Sequence, residues 1–302
     1  MFKKIILGSL LIFTNLVADD VSIMPEIAKI SYDNDSIKSV KNSANYIGIR
    51  ADIDNDFYLI ELYANYMDTE YKDYNGTKAD NLVQSNIMGK YTIKLPYNTL
   101  TIGLDYLNSN ESDVARDLGK GLIGMIGMEG YLGDDFDFFS FGIEIYYSAY
   151  SKAYDEVAKS DLVLVDIAQF TPYIVYDSKI SYYKKNVLTL KATYVRASQY
   201  LDKNYISFEV SDTYTLYDWY VNLMFFGGDM KSGVMDSLRN IRGNRDLLNS
   251  IYSAKVGYHI NRDLSVSAGY RTEMYNEYDR FKREYLDESR STEMKLALEY
   301  KF

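Results

Sequence analysis

The sequence predicts an all-β protein, a transmembrane antiparallel up-and-down β-barrel of about fourteen strands, with twelve or sixteen also compatible. Three observations predict it. Apolar and polar residues alternate with period two in long segments from end to end of the chain, the connections between those segments alternate between short and long, and the longest apolar run lies at the extreme N-terminus.

That N-terminal run comes first. Lys3 and Lys4 precede Ile5–Phe13, and Leu16-Val17-Ala18 places a small residue ahead of Asp19-Asp20. A charged start, a short apolar stretch and a small-residue site read as a secretory signal peptide cleaved after Ala18. The run is too short to cross a bilayer, since a spanning helix needs ~20 consecutive apolar residues. Every later apolar run is broken within a few residues by a charged residue or Asn, so helical membrane proteins are excluded. Residues 1–18 are the expected signal peptide and residues 19–302 a single barrel domain.

Strands are expected over residues 26–32, 45–53, 57–68, 81–95, 98–108, 120–132, 137–150, 162–177, 186–199, 204–211, 214–226, 250–260, 264–277 and 290–302. In residues 81–95, Val83, Ile87, Tyr91, Ile93 and Leu95 share one parity, while Gln84, Asn86, Lys90, Thr92 and Lys94 share the other. Phe139, Phe141, Ile143, Ile145 and Tyr147 oppose Ser140, Gly142, Glu144 and Ser148 in the same way. Such lengths exceed the five or six residues usual in globular strands and suit tilted membrane strands. Short turns fall near Asn55, Pro96, Asp134, Asp212 and Arg262, with a longer turn on the same side over residues 179–186. Long connections fall at residues 69–80, 108–119, 151–161, 227–249 and 278–289, and short inner turns with long outer loops are the habit of outer-membrane barrels.

A soluble β-sandwich would also alternate, with shorter strands and more frequent Gly and Pro turns. Only 3 Pro residues occur, against 32 Tyr and 13 Phe, and aromatic residues suit both strands and the two lipid-water boundaries. The adjacent aromatics Tyr146-Tyr147, Tyr182-Tyr183 and Phe225-Phe226 are therefore read as an interfacial girdle. Loss of Lys3 and Lys4 with the leader takes the net charge from −10 to about −12, which argues against nucleic acid as a partner.

In the last expected strand, Met294, Leu296, Leu298, Tyr300 and the terminal Phe302 share one parity, and Glu293, Lys295, Ala297, Glu299 and Lys301 share the other. Here the chain resembles the bacterial outer-membrane β-barrel family, whose final strand ends in an aromatic residue, usually Phe. In size and strand number it is similar to a porin. The resemblance implies an outer-membrane location, outer-membrane lipid around the apolar face, and Phe302 as the assembly signal for the barrel-assembly machinery. Monomer is the favoured state, with a trimer as the alternative.

The polar parity places charges of both signs in the expected lumen. Arg50, Lys90, Lys94, Lys191, Lys255, Arg271 and Lys295 stand against Glu61, Asp105, Glu129, Glu144, Glu209, Asp218, Glu273 and Glu299. Opposed basic and acidic rows across a water-filled pore would select ions, weakly for cations on this count; alternatively the charges pair into a ladder that fills a narrow barrel. Residues 227–249 read as a solvated outer loop, or else fold inward so that Arg239, Arg242 and Arg245 form a constriction. An enzyme is not expected: His259, the single His, lacks catalytic companions, no Cys occurs, and no metal or cofactor motif is present. The expected function is passive diffusion of small hydrophilic solutes through a mixed-charge channel. The rival is a surface recognition or structural barrel with a filled lumen, and passage of apolar molecules through a lateral opening is the third reading.

Overall fold

The computed structural model describes residues 20–33, 41–72, 81–109, 120–133, 137–151, 154–155, 160–161, 164–181, 183–197, 204–231, 233–235, 240–241, 246–279 and 284–302. The expected signal peptide lies outside them, as do Arg239, Arg242 and Arg245.

Fourteen antiparallel strands close into a barrel. They are β1 (Asp20–Tyr32), β2 (Lys41–Asp54), β3 (Tyr58–Tyr71), β4 (Leu82–Lys94), β5 (Asn98–Ser109), β6 (Gly121–Gly133), β7 (Asp137–Ser151), β8 (Leu164–Ser181), β9 (Lys184–Ala197), β10 (Asn204–Leu216), β11 (Trp219–Met230), β12 (Leu247–His259), β13 (Leu264–Asp279) and β14 (Glu284–Lys301). Each pairs with its sequence neighbours, and β1 pairs with β14 to close the ring, with Ile27 opposite Leu296. Closure at the turn end is completed by the Phe302 N–H, which donates to the Val21 carbonyl at 2.9 Å. In lipid this ring is obligatory, because an unpaired backbone amide has no water to turn to.

The alternation explains which side is which. On β7, Phe139, Phe141, Ile145 and Tyr147 are exposed on the outer face, while Ser140, Glu144, Tyr146 and Ser148 are buried inside. Phe139 to Tyr147 covers about 26 Å along the strand, or about 20 Å along the membrane normal at a ~40° tilt. With a side chain's reach added at each end, this matches the ~25 Å apolar band of an outer-membrane barrel.

All connections between β2 and β3, β4 and β5, β6 and β7, β8 and β9, β10 and β11, and β12 and β13 lie at one end, the turn end. Asn55 and Asn261 build two of them: each side-chain carbonyl accepts two backbone N–H bonds, at 2.8 and 2.9 Å in both cases. Two expected turns are corrected. Strands β8 and β9 extend to Ser181 and resume at Lys184, so the longer turn over residues 179–186 is tight. The turn expected at Asp212 lies instead at Tyr217-Asp218, and β10 runs unbroken through Ser211-Asp212-Thr213. Tyr217 adopts φ 53°, a conformation that costs a non-Gly residue about 1–2 kcal/mol, whereas Ser-Asp-Thr has the composition of a turn. Asp212 faces outward near the turn end and accepts a hydrogen bond from Asn186 at 2.8 Å.

The high Tyr content has a second use besides the boundary. Tyr220 stands directly opposite Gly257 across β11 and β12, and its ring covers the glycine so closely that an added Cβ would lie 2.1 Å from the ring. Tyr173 covers Gly142 across β8 and β7 with the same geometry, at 2.0 Å. Inward tyrosines thus lie against the wall where a missing side chain makes room.

Gly257→Ala is expected to displace the Tyr220 ring and destabilise the barrel by about 1–3 kcal/mol. Gly124→Ala, where a Cβ meets nothing nearer than the Tyr147 carbonyl at 4.0 Å, should leave stability unchanged. The temperature at which each folded barrel loses its fast gel migration checks the pair.

Candidate functional site

The interior divides into a packed part and a polar cavity. Near the loop end, Met88, Leu107, Ile123, Met125, Tyr146, Tyr150, Val165, Ile167, Val195 and Tyr205 converge from β4 to β10 into one apolar cluster. A second cluster joins Phe226, Met230, Leu248 and Ile251 of β11 and β12. Water in the lumen would otherwise face this apolar surface, and a segment of the chain covers it.

That segment is the start of the β11–β12 connection. Lys231, Val234 and Met235 are buried, with Val234 in the first cluster and Met235 in the second. Burying each apolar side chain contributes roughly 1.5–3 kcal/mol. The Gln169 side chain of β8 grips the segment by its backbone: its amide donates to the Val234 carbonyl at 2.8 Å, and the Val234 N–H donates to its Oε1 at 2.8 Å. At the other end of the connection, buried Asp246 pairs with buried Lys41 of β2, whose ammonium also lies over the Tyr32 and Tyr275 rings. The connection is therefore fastened to two strands on different sides of the barrel. The reading of residues 227–249 as a solvated outer loop is corrected for these described residues: strands β11 and β12 extend to Met230 and from Leu247, and Val234 and Met235 between them turn into the lumen.

Below and beside this plug runs a cavity of about 670 Å³. Its lining reaches from Met24, Thr213 and Asn222 toward the turn end to Tyr32, Lys41, Asp246 and Tyr275 toward the loop end. Six cations (Lys41, Arg50, Lys191, Lys255, Arg271, Lys295) and five carboxylates (Glu26, Glu209, Asp246, Glu273, Glu293) line it. At mid-height Glu26 accepts from the Tyr46 and Tyr63 hydroxyls and pairs with Lys295 at 2.7 Å. Gly48 leaves room for this cluster, since a Cβ there would lie 2.7 Å from the Tyr46 hydroxyl and 2.8 Å from Glu26.

The charges do not form opposed rows. Arg50 bridges Asp52 at 2.6 Å and Glu61 at 3.1 Å, and Glu61 also pairs with Lys90, so a ladder climbs across β2, β3 and β4. Lys191 meets Glu209 at 3.6 Å, Arg271 meets Glu273 at 2.7 Å, and Lys94 pairs with Asp54. Basic and acidic side chains sit beside one another because inward positions on neighbouring strands are cross-strand partners, as Lys191 and Glu209 are.

Of the residues singled out in the sequence, Arg50, Lys191, Glu209, Lys255, Arg271, Glu273 and Lys295 line the cavity. Glu61, Lys90, Asp105 and Glu144 point inward but are buried in the wall packing, with Asp105 accepting from Asn86 at 3.3 Å. Glu129 is half-buried on the inner face of β6, and Glu299 lies near the turn end, accepting from the Ser265 hydroxyl at 3.1 Å. Asp218 is corrected: it is exposed in the β10–β11 turn, because that turn lies where a strand was expected. The aromatic pairs are also corrected: Tyr146 and Phe226 are buried inside while Tyr147 and Phe225 face outward, as alternation requires of neighbours on one strand. His259 packs beside Tyr220, ring centroids 5.7 Å apart. Sequence reasoning missed Gln169, Lys41, Asp246 and Glu26, whose partners are distant in the chain.

No family model matches the chain, and no curated protein matches it. Solved structures with a similar fold include the monoaromatic hydrocarbon channel CymD, at a TM-score of 0.52 and 7% identity over 95% of this chain and 89% of that one. The toluene transporter TodX of Pseudomonas putida aligns at a TM-score of 0.51 and 8% identity, over 95% of this chain and 90% of that one. The chain thus has the fold of bacterial outer-membrane β-barrel proteins.

Asp246→Asn takes the paired carboxylate from the buried Lys41 ammonium, at a cost of about 3–5 kcal/mol, and Gln169→Ala removes both bonds to Val234. Either substitution is expected to free the segment so that trypsin cuts after Lys231, a bond shielded in the parent protein. Mass analysis of the limited digest reads the result; equal protection in both variants would show that the apolar contacts alone hold the segment.

Proposed function

We propose that the protein is exported to the outer membrane, with its turn end in the periplasm, and works there as a monomeric passive channel for small hydrophilic solutes. The single observation that carries this reading is the cavity, which brings six cations, five carboxylates and a set of hydroxyl and amide groups together with apolar residues such as Met24, Ile30, Met67 and Met224. Its charged and hydroxyl groups exchange hydrogen bonds with a hydrated solute. The inward β11–β12 segment narrows the loop end, so passage is selective by size. No catalytic step is assigned, and lipid, the barrel-assembly machinery and the solute are the partners this role requires.

The apolar plug favours a second reading, a filled barrel that presents its loops for recognition. Conductance in planar bilayers separates the two: discrete steps support the channel, and silence from a folded barrel supports the rival.

On the lining's own count of six cations against five carboxylates the expected preference is weakly for anions, against the weak cation preference of the wider set of inward residues, and the reversal potential decides between them. In a KCl gradient, Lys191→Glu should move the reversal potential toward cations, while Asp105→Asn, buried outside the cavity, should leave it in place. A shift with Asp105→Asn equal to that of Lys191→Glu would contradict this assignment of the pore wall.

A further inference from the structure

Five of the six cations that line the cavity lie within ion-pairing distance of a carboxylate: Lys41 with Asp246, Arg50 with Asp52 and Glu61, Lys191 with Glu209, Arg271 with Glu273, and Lys295 with Glu26. Lys255 differs. Among the described residues its ammonium meets the Tyr220 ring, 5.5 Å from the centroid, with no carboxylate in ion-pairing reach. Lys255 is thereby the lining cation without a carboxylate partner, while the remaining lining carboxylate, Glu293, stands cross-strand from Arg271.

The strand register shows what surrounds that place. Thr213, Asn222, Lys255, Gly269 and Lys295 are successive cross-strand partners on β10, β11, β12, β13 and β14, so they form one row around the inner wall. Gly269 contributes no side chain to the row. A Cβ placed there would meet nothing closer than 3.8 Å, and its nearest side-chain neighbours would be the Cβ atoms of Lys295 and Lys255 at 3.9 and 4.0 Å. Unlike Gly257 and Gly142, this glycine is not filled by a tyrosine from the next strand. The row therefore has a notch floored by backbone and flanked by the stems of Lys255 and Lys295, whose ammonium groups lie over the Tyr220 ring and against Glu26 respectively.

The Asn222 amide donates to the Thr213 hydroxyl at 2.7 Å. This leaves the Asn222 Oδ1 to accept and the Thr213 O–H to donate toward the cavity. Ser211 and Ser253, which line the same stretch, add hydroxyls of either role. We propose that the notch over Gly269, between Lys255 and Lys295, is a binding site for the carboxylate of a small polyhydroxylated acid, with Asn222, Thr213 and the neighbouring serines taking its hydroxyl groups. A lone carboxylate gains from the Lys255 ammonium, a neutral polyol gains from the hydroxyl wall, and only a hydroxy acid gains from both.

This inference rests on the channel reading for its biological meaning, yet it is tested without conductance. Gluconate, glucose and acetate are titrated calorimetrically into the folded, detergent-solubilised full-length barrel. Gluconate should bind, glucose and acetate at least about tenfold more weakly. Lys255→Gln should raise the gluconate Kd about tenfold, and Gly269→Val, which fills the notch and removes no charge, should do the same. Fast gel migration of each variant establishes that it is folded. Gluconate binding that neither substitution weakens, or glucose binding as tight as gluconate, overturns the proposal, as does absence of gluconate binding to the parent barrel. A barrel that binds gluconate through Lys255 but conducts no current refutes the channel and leaves the site standing.

Discussion

Every feature of this protein follows from one constraint, that a sheet surrounded by lipid has no water to satisfy an open edge. The backbone must therefore return on itself, and the pairing of β1 with β14 is the step that makes the other thirteen pairings viable in lipid. Once the ring is closed, the pleat assigns every residue to one of two solvents. Leu296 and Ile27 face outward because Lys295 and Glu26 face the lumen, and neither parity can move without the other.

The lumen then inherits a problem of its own. A ring of fourteen strands encloses more space than its inward side chains fill, and in this chain the inward residues near the loop end are largely apolar. The β11–β12 connection resolves it by supplying Val234 and Met235 to the two clusters, held by Gln169 on one side and by the Lys41–Asp246 pair on the other. What is left open carries the charged residues alongside several apolar ones. The channel reading and the packed plug are thus consequences of the same wall, read at different strands.

The charged ladder shows how a barrel carries many ions without a strong net field. Arg50, Glu61 and Lys90 neutralise one another across β2 to β4, and Lys295 and Glu26 do so across the closure of the ring. Neutralisation by neighbours leaves Lys255, among the described residues of the cavity wall, as the cation without a carboxylate partner.

The sequence by itself determined the class of fold, a strand number near fourteen and the face of most residues, because period-two alternation is a local property of the chain. It also indicated which carboxylates and cations turn inward. Turn chemistry misled at Ser211-Asp212-Thr213, where local composition suggested a break and the pairing of β10 with β11 continued to Tyr217. Only the tertiary structure decided which inward charges border open space, that Asp246 finds Lys41, and that Gln169 holds Val234. Those partners are separated by most of a barrel wall or by long stretches of chain, and a periodic pattern carries no information about what lies across a closed ring.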